Sequence, residues 1–177
     1  MKKLIAILAL AVMLLTALTI GAGAEGTQLR NGVTFGMDMD QVMAAEPARY
    51  HEIDRERTHG PVAFWELEYE NVQEMGARAD LKYLFVGNAL VALRVDFEDR
   101  SIGYEQVKAE LTAQYGAAKA PDLTKLGNGI FAADDDGHLE WGAEAFEKDG
   151  MMVILERDDD DVTVTYVDLN AAFISAR

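Results

Sequence analysis

Cysteine is absent from all 177 residues. That excludes disulfides, thiolate nucleophiles, iron–sulfur ligation, the usual structural zinc sites and an acylated N-terminal cysteine together. Serine is nearly as scarce, with Ser101 and Ser175 the only two, so a Ser–His–Asp triad has almost no raw material. Histidine, the default acid–base group, occurs only as His51, His59 and His138. Basic charge is in deficit: 16 Lys+Arg face 31 Asp+Glu, a formal net charge of −15. A nucleic-acid partner needs clustered Lys/Arg and is disfavoured. No glycine-rich phosphate loop is present, because Gly127-Asn128-Gly129 lacks the following glycine, lysine and helix start.

What is present is an ordinary globular composition, 50% apolar and 27% charged, at a length suited to one domain. The first 24 residues stand apart. Lys2 and Lys3 form a positive start, Leu4 to Ile20 is apolar except for Thr16 and Thr19, and Gly21-Ala22-Gly23-Ala24 supplies small residues before Glu25. This is the layout of a cleaved secretory signal peptide. A run of that length spans ~26 Å as a helix, short of the ~30 Å hydrocarbon core, which disfavours a retained anchor. Without residues 1–24 the chain keeps 14 positive and 31 negative residues, net −17, and works outside the cytoplasmic membrane with no membrane attachment.

The remainder reads as two copies of one plan, a helix followed by three strands, over residues 25–100 and 101–177. In the first copy Asp38 and Gln41 form a capping-box pair ahead of Val42, Met43 and Ala45, and Pro47 ends the helix. His51 to Gly60 is polar, mixed in charge and without periodicity, which predicts a loop. Trp65, Leu67 and Tyr69 alternate with glutamates; Ala79, Leu81, Tyr83 and Phe85 continue the alternation, as do Val91, Leu93, Val95 and Phe97 beyond the two-residue turn Gly87-Asn88. In the second copy Tyr104, Val107, Leu111 and Tyr115 have helical spacing, and Gly116 sits at the C-terminal cap position. Leu139, Trp141 and Ala143 open its first strand. Asp149-Gly150 is a two-residue turn before Met151, Val153 and Leu155, and Val162, Val164 and Tyr166 form the last strand. The net charge is −7 over residues 25–100 (8 positive, 15 negative) and −10 over residues 101–177 (6 positive, 16 negative). The predicted fold is α+β: two α-β-β-β repeats forming an antiparallel sheet in one compact domain, with the helices packed on one face.

The opening Val33-Thr34-Phe35-Gly36-Met37-Asp38-Met39-Asp40-Gln41-Val42 before a three-stranded sheet, together with Tyr115-Gly116 closing the second helix, resembles secreted helix-plus-sheet tandem-repeat proteins. These are the β-lactamase inhibitor protein and the small outer-membrane assembly lipoproteins that share its half-domain. The resemblance implies the fold and a binding-type role, and transfers no binding residue. The sequence departs from both, having neither the disulfides of the one nor the acylated cysteine of the other.

His51, Glu52, Asp54 and His59 share the polar segment, but without a His-Glu-x-x-His spacing no metal geometry is specified. The runs Asp134-Asp135-Asp136-Gly137 and Asp158-Asp159-Asp160-Asp161 invite a calcium reading. Placing Gly137 at position 6 of an EF-hand loop puts Ala132 at position 1 and Ala143 at position 12, so the match fails at both ends. Such runs suit strand-linking turns, with weak divalent-cation binding as the residual expectation. The sheet offers the better candidate surface. If the alternating apolar residues face the helices, the other face carries Phe64, Glu66, Glu68, Lys82, Leu84, Arg94 and Asp96, and in the second unit Phe146, Met152, Ile154, Thr163 and Thr165. A mixed surface with isolated apolar anchors suits a protein interface. The expectation is therefore a secreted, acidic, non-catalytic module, without a cofactor, that binds or inhibits an extracytoplasmic protein through Phe64, Glu66, Glu68, Lys82, Leu84, Arg94, Phe146, Met152 and Ile154. The alternatives are a scaffolding component of the cell envelope, or a small hydrolase using the loop histidines His51 and His59.

Overall fold

The computed structural model describes residues 28–59, 62–97, 101–126, 142–159 and 161–171. The expected leader, the first aspartate run, His138 and Trp141 lie outside them. Among the described residues two helices, α1 (Met39–Ala45) and α2 (Tyr104–Tyr115), accompany seven strands: β1 (Glu52–His59), β2 (Val62–Glu74), β3 (Ala77–Val86), β4 (Ala89–Phe97), β5 (Glu144–Lys148), β6 (Met151–Asp158) and β7 (Asp161–Asp168). The strands form one antiparallel sheet in the order β1-β2-β3-β4-β7-β6-β5. The last strand after each helix meets the other at the centre, Leu93 opposite Tyr166 and Val95 opposite Val164, so the sheet is continuous from edge to edge.

The α+β class and the antiparallel sheet are as expected, but four strands follow α1 where three were predicted. The polar segment read as a loop is β1, paired with β2 from Glu52↔Glu68 to His59↔Val62. An edge strand needs backbone partners on one side only. Ile53 is its one apolar residue packed on the core, so no period-2 signal survives. A second difference is local. Leu84 pairs with Ala92 and Phe85 with Leu90, so Val91 is the extra residue of a bulge. Leu90 therefore takes the helix-side position predicted for Val91, and Val91 packs on the opposite side.

Local chemistry explains the elements that were legible. Asp38 Oδ1 accepts from the Gln41 backbone N–H at 2.8 Å, and Gln41 Oε1 accepts from the Asp38 N–H at 2.9 Å. This closes both ends of the capping box on a helix of only seven residues. The β3–β4 turn has φ +65° at Gly87, a backbone that side chains of L-residues resist. On the helix side, Val42 of α1 and Val107 and Leu111 of α2 are fully enclosed against Leu67, Leu81, Leu93, Val153, Val164 and their neighbours. Each such side chain contributes about 1.5–3 kcal/mol of burial.

The opposite face is not uniformly wet. Phe64, Leu84, Val91, Ala92, Ala145, Met152, Ile154 and Val167 form a second buried cluster there. Leu126, just past the 3-10 turn Leu123–Lys125, is part of it, and Leu169 and Ala171 beyond β7 pack against it. Lys125 holds that turn to β5 through Glu147 at 2.7 and 2.8 Å.

Candidate functional site

The residues proposed for partner binding separate into three groups. Phe64, Leu84, Met152 and Ile154 lie on the predicted face but are buried in the second cluster, with Met152 and Ile154 fully enclosed. Phe146 is on the other side. It pairs with Val153 and joins the helix-side core, because β5 starts at Glu144 and its alternation is set by that register. Glu66 is buried as well. Glu68, Lys82 and Arg94 remain half-exposed, with side chains 24%, 34% and 29% accessible.

Strand register brings these three into one row. Glu68 is opposite Lys82, Lys82 opposite Arg94, and Arg94 opposite Thr165. The next row sets Asp80 opposite Asp96 and Asp96 opposite Thr163. Two cations, then two acids, thus stand directly across one strand pair, an arrangement that by itself is unfavourable. Neighbouring partners offset it. Arg94 Nε donates to Asp96 Oδ1 at 2.7 Å, Thr163 Oγ1 donates to the same oxygen at 2.9 Å, and Lys82 Nζ is 3.9 Å from Glu68 Oε1. Beside this row opens a cleft of about 450 Å³ lined by Arg94, Asp96, Phe97, Asp158, Asp161, Val162 and Thr163. Such a site can recognise a polar or charged surface through paired hydrogen bonds.

The histidine segment does not converge. His51 and His59 bracket β1, which separates them by roughly 25 Å of extended chain. His51 Nδ1 lies 3.3 Å from Glu70 Oε2, in a shallow depression of about 410 Å³ with Arg49, Tyr50 and Asn71. Among the described residues, no three His, Asp or Glu side chains gather as a metal-holding group. No described helix is long and apolar enough to cross a membrane.

Sequence reasoning missed a buried charged cluster beneath α1. The Glu46 carboxylate, at the C-terminal cap, is fully enclosed. It accepts from the Tyr83 hydroxyl and, at 3.0 Å, from Asn31 Nδ2. Arg30 Nε lies 3.0 Å from Glu46 Oε1 but out of line for a hydrogen bond, so that contact is charge against charge. The other end of Arg30 donates from Nη1 to Glu74 Oε2 at 2.8 Å. Burial raises the Glu74 carboxyl above its ordinary value, against the lowering pull of Arg30. Burial, with the Glu46 hydrogen bond and charge adding to it, pushes the Tyr83 phenol far up. Desolvation, with Glu46 and Tyr50 nearby, pushes Tyr69 up to about 12. The cluster ties the segment before α1 to β2 and β3. A second clasp holds α2 to β5: Glu144 accepts from Tyr104 at 3.0 Å and from Lys108 at 2.8 Å, with the Arg157 guanidinium 5.3 Å from the Tyr104 ring centroid.

Comparison with protein-family models, curated proteins and solved structures gave no match.

Proposed function

We propose that this protein is an extracytoplasmic, non-catalytic module that binds or inhibits a protein partner through the polar row Glu68–Lys82–Arg94 and the adjoining cleft. The observation that carries the reading is the placement of Lys82 directly opposite Arg94, half-exposed, on a chain with a net charge of −15. Like charges set side by side repel even where each has an acidic neighbour, and a carboxylate on a partner would meet both at once. The resemblance to secreted helix-plus-sheet tandem-repeat proteins supports the same role, with β2–β4 and β5–β7 as the strands of the two repeats. The apolar residues Phe64, Leu84, Met152 and Ile154 then support the site from within the fold.

The test is site-directed photocrosslinking in the native extracytoplasmic fraction. A crosslinker at Lys82 should give a discrete protein adduct that Arg94→Glu abolishes, while the same group at Thr112, exposed on α2, gives none. Equal labelling from both positions, or an adduct indifferent to Arg94→Glu, would overturn the reading.

A further inference from the structure

The two edges of the sheet are treated differently. At β5 the chain after α2 closes the edge: Lys119 and Ala145 exchange backbone hydrogen bonds at 2.8 and 2.7 Å. At the other edge β1 pairs only with β2, and among the described residues no strand lies on its outer side. Those backbone N–H and C=O groups of this eight-residue strand that face away from β2 have no strand beside them among the described residues.

Charges on an edge strand ordinarily discourage pairing. The order of charges in β1 does the opposite for one occupant. The strand reads Glu52-Ile53-Asp54-Arg55-Glu56-Arg57-Thr58-His59. Three acids and two arginines leave it at −1, near neutral on an otherwise strongly acidic chain. Laid antiparallel on itself about its midpoint, it sets Glu52 opposite His59, Ile53 opposite Thr58, Asp54 opposite Arg57 and Arg55 opposite Glu56. Every acid meets a basic residue, twice over by symmetry.

Backbone geometry allows this register only because of an irregularity in β1. In an unbroken strand, residues alternate in the edge to which they present their N–H and C=O groups. Positions such as 54 and 57, an odd number apart, would then face opposite edges and could not pair across a two-fold axis. In β1, Asp54 pairs with Glu66 and Arg57 with Phe64, so Arg55 and Glu56 together stand opposite Trp65 alone. That bulge reverses the alternation once, at the midpoint. Asp54 and Arg57 consequently present their backbone groups to the same edge, as do Glu52 and His59.

We propose that β1 is a self-pairing edge at which a second copy of this chain adds antiparallel, centred between Arg55 and Glu56, to make one sheet across two molecules. The two-fold contact is isologous and closes at the dimer. It is separate from the polar row on β2–β4.

Sedimentation equilibrium of the purified protein, from micromolar to millimolar concentration, tests it. The expected result is a reversible monomer–dimer equilibrium. Arg55→Glu alone places acid against acid, and Glu56→Arg alone places base against base; each should weaken self-association by roughly tenfold or more. An equimolar mixture of the two restores opposite charges at both central pairs and should dimerise as a heterodimer. The exchange Asp54→Arg with Arg57→Asp keeps every pair and should leave the constant unchanged, and far-UV circular dichroism confirms that each variant is folded. A single-chain mass throughout the range, single variants that dimerise like the parent, or a mixture that stays monomeric would each overturn the proposal. Arg94→Glu should not alter the dimer constant, which separates this result from the partner-binding reading.

Discussion

Glu46 shows how much one buried charge can organise. Its carboxylate has no accessible side-chain surface and faces Arg30, Asn31 and Tyr83, from two separate parts of the chain. Removing it leaves the arginine with Glu74 alone and strands two neutral donors. Glu46→Ala should therefore cost about 3–5 kcal/mol in urea unfolding, and Tyr83→Phe, which removes one hydroxyl, only about 1–3 kcal/mol. Nothing in the sequence marks Glu46, since a glutamate before Pro47 reads as the polar end of a helix. Its burial depends on Arg30, 16 residues earlier, and Tyr83, 37 residues later. Tyr69 adds a pH dependence. Its phenol is raised from 10.0 to about 12 in the folded state, so the folded chain holds that proton more tightly than the unfolded chain. The associated stability is complete below pH 10 and is lost as pH rises from there towards about 12. Alkaline unfolding of the parent should steepen across that interval, and Tyr69→Phe should flatten the curve, as read by thermal unfolding at stepped pH alongside phenolate absorbance.

Among elements, α1 is the clearest case of local determination. Seven residues are too few for helix propensity alone, and the reciprocal Asp38–Gln41 bonds satisfy two otherwise unpaired backbone donors. Asp38→Ala should lower stability by about 1 kcal/mol and speed amide exchange in the first turn of α1. The capping residues stood in the sequence because capping is a contact over three positions. The hairpin turns at Gly87 and Gly150 were legible for the same reason. The strand β1 was not, because its place in the sheet comes from β2 and its own residues need bury little. The Val91 bulge was invisible too: unbroken alternation from Val91 to Phe97 gives no sign that Leu90, rather than Val91, reaches the helix-side core.

At the scale of the molecule, the sheet is buried in part on both faces. Expected as surface anchors, Met152 and Ile154 are instead core residues opposite the helices. Ile154→Ala should accordingly cost about 2–5 kcal/mol by urea unfolding, where a solvent-facing isoleucine would cost under about 0.5 kcal/mol. Among the described residues, the Glu68–Lys82–Arg94 and Asp80–Asp96–Thr163 rows, with the adjoining cleft, form the polar part of that face.

The α+β class, the α1 cap, the tight turns and the helix-side alternation of β2, β3, β6 and β7 were legible in the residues, because each depends on neighbours a few positions apart. Contacts between distant segments set the rest: β4 and β7 join all strands into one sheet, β1 is a strand, Glu46 is enclosed, and one part of the far face is core while another is polar and half-exposed. Those outcomes rest on which distant segment lies alongside, and a period of two along a strand cannot specify its partner or what covers its second face.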